Sequence, residues 1–293
     1  MIYSKAKLDE YASPLSDTEK EQCQNAIDMV KEALVNYGYV IKTQRNNYSE
    51  EGYAYYYELR DTSYSTITIL LQGSYANNTN IKRYSDVDVS VIYSPIIPLS
   101  LDKSFMKFKE DIYNALVKKF GSDVERKNKS ICVSGNTYRK SIDVVPAFSI
   151  TNNLLDGIQF LTDKGEKIIN YPLKQILNVN KKNKDTGYKF KRYVRIIKNI
   201  KEDMEASNIS SAKNIGSFQV ESLLWNISDE VFTKYITLGY GVEEIIQRLI
   251  KNKHLIPLYK ESNGIKQLCN TPVEANKIQQ FIDSLNNFFT YGG

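Results

Sequence analysis

Asp86 and Asp88 stand one residue apart at the head of a valine-rich run, DVDVSVIY, residues 86–93. Strand alternation puts Val87, Val89 and Val91 on one side and Asp86, Asp88 and Ser90 on the other. Two carboxylates that close repel unless a cation or abundant water separates them. A third carboxylate, Asp143, lies in Ser141-Ile142-Asp143-Val144-Val145-Pro146, opposite an apolar face of Ile142 and Val144. If the two strands are neighbours, three carboxylates converge. Such a set of hard oxygen donors suits two divalent ions about 4 Å apart. One ion would lower the pKa of an attacking hydroxyl and the other would hold a nucleoside triphosphate. Gly73-Ser74 follows the strand-like STITILL, 65–71. A Gly-Ser turn there exposes backbone N–H groups and a hydroxyl, a nest for phosphate. Taken singly, each feature has a plain reading: a Gly-Ser pair is common in loops, and Asp-x-Asp can be a solvated strand edge.

These groups need elements to hold them. Ser16 and Glu19 have capping-box spacing, Ile27, Val30, Leu34 and Tyr37 recur at helical spacing, and Gly38 stops a helix over 16–37. Residues 53–59, 65–71 and 87–93 read as strands, the last closed by Pro95 and Pro98. Phe105, Phe108, Ile112, Leu116 and Phe120 mark an amphipathic helix that Gly121 ends. Residues 130–133 and 141–145 are short strands joined by the turn-like SGNTYRK. Beyond about residue 170 strand signals thin out, and helical periods cover 188–204, 215–236, 241–252 and 274–289. KKNKDTG, 181–187, reads as a loop or a charged approach to a helix. The simplest organisation is α+β: a mixed-sheet lobe over 1–170, including the long helix, and a helical lobe over 171–293.

Composition narrows the field. With 39 basic and 34 acidic residues, the net charge of +5 permits attraction to nucleotides or nucleic acid without demanding it. Cys23, Cys132 and Cys269 are scattered and His254 is the only histidine, so a disulfide framework and a Cys/His zinc site are disfavoured. His254 reads as packing or surface. The start, MIYSKAKLDE, has no apolar signal segment, and no run approaches a membrane span. A reducing, cytoplasmic setting is expected.

Gly73-Ser74, Asp86-x-Asp88 and Asp143, in that order, resemble the DNA polymerase β-like nucleotidyltransferase superfamily. GSYANNTNIKRYSDVDV with SIDVVPAF is similar to one branch of it. That branch holds 2′-5′ oligoadenylate synthases, cyclic GMP–AMP synthase and the bacterial cyclic-oligonucleotide synthases of anti-phage defence. YKFKRYVRIIKNIK, 188–201, resembles its Arg-x-x-Lys helix, and IGSFQVESLL, 215–224, its Ser-x-x-x-Glu-Leu helix. The resemblance runs from about 70 to 225 and implies an active site in a cleft between the lobes. It implies that Asp86 and Asp88 bind two Mg²⁺ ions, with Mn²⁺ as a substitute. Asp143 would bind the ion beside the acceptor hydroxyl and help deprotonate it. Lys198 and Ser217 would join Gly73 and Ser74 on the donor phosphates. Read alone, Lys198 belongs to a basic stretch that is equally a solvated face, and Ser217 is a helix N-cap.

The function so implied is template-independent joining of nucleoside triphosphates into a cyclic di- or trinucleotide, or a short oligonucleotide, with release of pyrophosphate. The product would be received by a separate effector protein; a nucleic-acid activator is left open. For the bases, Tyr75, Tyr138, Phe148 and Tyr235 are unranked stacking candidates. Two other functions compete. One is nucleotidyl transfer to a tRNA end, a small-molecule drug or a protein. The other is a catalytically silent nucleotide-binding scaffold, against which the presence of all three aspartates argues.

Overall fold

The computed structural model describes residues 1–49, 52–60, 65–82, 86–94 and 101–292, with 43–49, 52–56, 60 and 101–103 by backbone alone. Pro95 and Pro98 lie outside the described residues. The chain opens with β1 (Ile2–Tyr3), α1 (Lys5–Ala12) and α2 (Asp17–Tyr37). In α2 the capping box forms: Ser16 N donates to Glu19 Oε2 at 3.0 Å and Glu19 N to Ser16 Oγ at 3.3 Å. Gly38, at φ +124°, closes the helix with a bond to Leu34 O. Strands β2 (Val40–Ser49), β3 (Gly52–Arg60) and β4 (Thr66–Gln72) follow, then the short helix α3 (Gly73–Ala76) and β5 (Val87–Ser94).

Next come α4 (Leu101–Phe120), β6 (Val124–Arg126), β7 (Ile131–Val133), β8 (Ile142–Ser149), β9 (Ile158–Leu161) and β10 (Lys167–Asn170). The rest is helical: α5 (Pro172–Asp185), α6 (Phe190–Ala206), α7 (Ser210–Lys213), α8 (Ser217–Trp225), α9 (Asp229–Thr233), α10 (Leu238–Lys251) and α11 (Pro272–Phe288). The short β11 (Thr290–Tyr291) is the last element.

The large sheet has the order β10-β9-β8-β5-β4-β3-β2, with β7 also on β8 and β6 on β7. β5 and β8 are parallel and its other pairs are antiparallel. The β-branched and apolar residues of β4 and β5 explain their central place. Ile67, Ile69, Leu70, Leu71, Val87, Val89, Val91 and Ile92 are all at most 1 % exposed, so both faces of these strands are covered. Ser90 is buried too and donates to Gln72 Oε1 at 2.8 Å, so the polar face expected of Asp86, Asp88 and Ser90 reaches no further than Asp88. α2 and α4 pack together and share this core through Ile27, Val30, Leu34, Phe105, Ile112 and Leu116.

The chain divides into a sheet unit, Leu15–Asn77 with Lys82–Ile176, and a helical unit, Met1–Pro14 with Asn78–Ile81 and Leu177–Gly293. A break at 170 with one segment on each side is therefore simpler than the observed division. The chain passes between units inside α5. It also places its first turns in the helical unit, where α1 packs on α6 and the Tyr3 and Tyr11 hydroxyls donate to Asp203 Oδ2 at 2.8 and 2.7 Å. KKNKDTG turns out to be the last turns of α5 and its exit. The expected 215–236 helix is broken into α8 and α9 around Asn226–Ser228. Among the described residues no helix is long and apolar enough to cross a membrane.

Candidate active site

In the sheet unit, strand register assembles the acidic site. Gln72, the last residue of β4, pairs with Asp88 of β5, and Asp88 pairs with Asp143 of β8. Three adjacent strands therefore bring the Gly-Ser turn, the second aspartate and the third to one level of the sheet. Gly73 is at φ +69°, and a Cβ there would come within 2.2 Å of Asp88 Oδ2. Both backbone conformation and the close carboxylate exclude a side chain. Ser74, half-buried, is the second residue of α3.

Asp86 precedes β5 and is exposed. Even so, partial loss of water and then repulsion from Asp143 raise its carboxyl above the ordinary range, so the first and third aspartates feel each other. Lys127 Nζ lies 3.2 Å from Asp143 Oδ1. Cys132 of β7 is paired with Asp143 from the other edge of β8. Burial and then the Asp143 charge push its thiol up. Among the described residues no three acidic, thiol or imidazole groups close on a single point. The carboxylates are thus neighbours in register rather than the closed cluster expected, and Asp143 engages an ammonium. The donor chemistry still fits a divalent hard ion: carboxylate oxygens, mutual repulsion that an ion would relieve, and no room for a side chain beside Asp88.

In the helical unit, Ser217 is exposed at the first position of α8. The N-cap is Gly216, whose N–H donates to Gln219 Oε1 at 2.9 Å, so the cap reading of Ser217 is corrected by one residue. Lys198 is 2 % exposed and its ammonium donates to Thr79 O at 3.0 Å and Thr79 Oγ1 at 3.2 Å. Thr79 Oγ1 in turn donates to Glu221, which lies 3.9 Å from Lys198. Arg195 donates to Ala12 O at 2.8 Å and to Asn78 O. The Arg-x-x-Lys pair thus holds Asn78 and Thr79, a few residues after the Gly-Ser turn in the chain. The solvated-face reading of this helix fails at Lys191, Arg195, Lys198 and Lys201, all at most 5 % exposed.

Of the aromatic candidates, Tyr75 and Phe148 are core residues at 2 % and 4 % exposure, whereas Tyr138 is 61 % exposed and Tyr235 half-buried. His254 is on the surface, and all three cysteines are free. Lys127 and Thr79 were not legible as site residues. Lys127 sits in a charged turn like many others, and only the β7–β8 and β5–β8 registers put it on Asp143.

Residues 177–290 match the model of the cGAS/DncV-like nucleotidyltransferase C-terminal helical domain. Over its whole length the chain is 36 % identical to the cyclic GMP-AMP synthase CdnE03 of Staphylococcus schleiferi, covering 98 % of it. It is 33 % identical to the cyclic dipyrimidine nucleotide synthase CdnE of Cecembia lonarensis, over 91 % of this chain and 90 % of that one. Among solved structures it resembles the Elizabethkingia meningoseptica CdnE cyclic dinucleotide synthase with GTP and Apcpp. The TM-score is 0.74 at 28 % identity, covering 97 % of this chain and 99 % of that one.

Proposed function

The chain belongs to the cGAS/DncV-like nucleotidyltransferases, and from that membership we propose how its own residues carry the reaction. It is an enzyme that joins nucleoside triphosphates into a cyclic nucleotide with loss of pyrophosphate. The observation that carries the site assignment is the Gln72–Asp88–Asp143 register, which sets the Gly73 turn beside two carboxylates.

Asp86 and Asp88 are the residues that would hold two Mg²⁺ ions, and Asp143 the residue that would share the one nearer the acceptor. Bound there, such ions neutralise polyphosphate charge and lower the pKa of a ribose hydroxyl. The backbone of Gly73 and the Ser74 hydroxyl grip the donor phosphates. Asp143 orients the acceptor hydroxyl and accepts its proton. The acceptor oxygen bonds to the α-phosphorus as the bond from that phosphorus to the bridging oxygen breaks, and pyrophosphate carries the electron pair away. Repetition at the other end closes the ring. Positioning and charge neutralisation supply the rate, with no covalent enzyme intermediate.

Ser217 is exposed and suited to a donor phosphate as it stands. Lys198 reaches phosphate only by exchanging its Thr79 bonds. Tyr138 and Tyr235 are the stacking candidates retained for the bases. A cytoplasmic setting, where nucleoside triphosphates and free thiols coexist, and a separate effector that receives the product in anti-phage defence complete the proposal.

The test is incubation of the purified protein with all four triphosphates and Mg²⁺ or Mn²⁺, with and without double-stranded RNA, DNA and tRNA, and products identified by mass. Small cyclic products from triphosphates alone are expected. Label that appears only on tRNA would sink the reading.

A further inference from the structure

The turn that carries Lys127 is built rather than incidental. It joins β6 to β7 and is closed by Lys127 N donating to Ser130 O at 2.9 Å. Lys109, from α4 and 0 % exposed, reaches under it. Its ammonium donates to Asn128 O at 3.1 Å and Asp163 Oδ1 at 2.7 Å. Asp163 N also donates to Asn128 O at 3.0 Å. Arg126 then binds Asp163 Oδ1 at 3.2 Å and pairs with Glu110. A buried lysine is costly to place in a core unless it is fully partnered. Here its partners are the turn's own carbonyl and the aspartate that also holds Arg126. The result fixes a hairpin whose first residue faces β8 at Asp143.

Asp88 and Asp143 are paired across β5 and β8, and Asp86 stands two residues before Asp88, so like charges are gathered there. Lys127 supplies an ammonium 3.2 Å from one of them. Its side chain is 42 % exposed, so it can leave Asp143 for water at small cost. Building on the metal reading above, we propose that Lys127 is the resident counter-cation of Asp143. It offsets the carboxylate repulsion in the metal-free protein and is displaced when a divalent ion enters. It is a positioning residue that sets the ion concentration at which the site loads.

The test is direct Mn²⁺ binding to the nucleotide-free protein, read from the electron paramagnetic resonance of free Mn²⁺, alongside melting without metal. Lys127→Met removes the competitor, so it should bind Mn²⁺ about fivefold more tightly than wild type, the scale of one partly exposed ion pair. It should also melt lower without metal and regain the loss on adding Mn²⁺. Lys127→Arg keeps the charge and should bind as wild type does, and Lys127→Gln should follow Lys127→Met. A turn that merely shaped the site would give the opposite sign, because a distorted site binds more weakly. Equal or weaker Mn²⁺ binding by Lys127→Met overturns the proposal. Asp88→Asn separates the two levels. If it abolishes Mn²⁺ binding while Lys127→Met changes nothing, only the counter-cation role fails. If it leaves binding intact, the metal reading itself fails.

Discussion

The sheet unit and the helical unit use charge in opposite ways. In the first, like charges gather at the start of β5 and β8: Asp88 is paired with Asp143, Asp86 stands just before β5, and a partly exposed Lys127 is the nearby cation. In the second, cations gather along α6, and Lys191, Arg195, Lys198 and Lys201 are each met by a protein oxygen. Lys191 donates to Asn180 Oδ1 at 2.6 Å and Lys201 to Glu205 at 2.7 Å, while Arg195 and Lys198 hold carbonyls of residues 78 and 79. Burial pulls the Arg195 guanidinium down to about 10, still protonated at neutral pH. Carboxylates left near one another store repulsion that a metal ion can discharge. Buried cations matched to carbonyls store stability. The contrast is between carboxylates proposed for chemistry and cations held by oxygens of the protein itself.

Substitution at the acidic site should break catalysis and spare the fold. Asp88→Asn is expected to lower turnover at least about a thousandfold, roughly 4 kcal/mol of barrier. Without metal it should melt no lower than wild type, since it removes a like charge. Product assays with Mg²⁺ and thermal melts without it check both halves. Normal product would dissolve the acidic site, and collapse of the fold would move Asp88 into the structural class.

The helical unit should respond in the reverse order. Lys198→Met leaves Glu221 buried without its ammonium and should cost about 3 kcal/mol of stability, visible in urea melts. Ser74→Ala should leave the melt nearly unchanged and weaken ATP about tenfold more than AMP, since it loses a hydrogen bond to charged phosphate. If Lys198→Met keeps wild-type stability and behaves like Ser74→Ala in nucleotide titrations, its Thr79 bonds are dispensable and the contrast between units collapses at that residue.

The smallest effect concerns pH. Burial raises the Asp163 carboxyl, but hydrogen bonds from Lys109 and Arg126 outweigh it and hold it below its ordinary 3.8. A depressed folded value means the contribution is present above 3.8 and is lost as pH falls through the folded value. Asp163→Asn should therefore be less stable than wild type at neutral pH, by up to about 1 kcal/mol, and the difference should shrink on acidification. A gap that stays constant down the acid limb would remove Asp163 from the support of the Lys127 turn.

How much was legible follows from the range of each interaction. Local order is written locally: the Ser16–Glu19 capping box, the Gly38 stop, the apolar strands around 67–71 and 87–92, and the aspartates set against them all appear where residue types and spacing put them. The resemblance of Gly73-Ser74, Asp86-x-Asp88 and Asp143 to known nucleotidyltransferases likewise rests on residue order alone. Register was not legible, because a pairing between β5 and β8 joins positions more than fifty residues apart in the chain, and nothing local encodes it. Nor was burial of charge. A helix reading KFKRYVRIIKNIK looks basic and solvated, and whether Lys198 meets water or the Thr79 carbonyl depends on what packs over it. The same reason hid Lys127 and its support by Lys109. The sequence by itself determined which groups are available for chemistry; tertiary structure decided which of them face one another, because only folding brings distant charges within the few ångströms at which they matter.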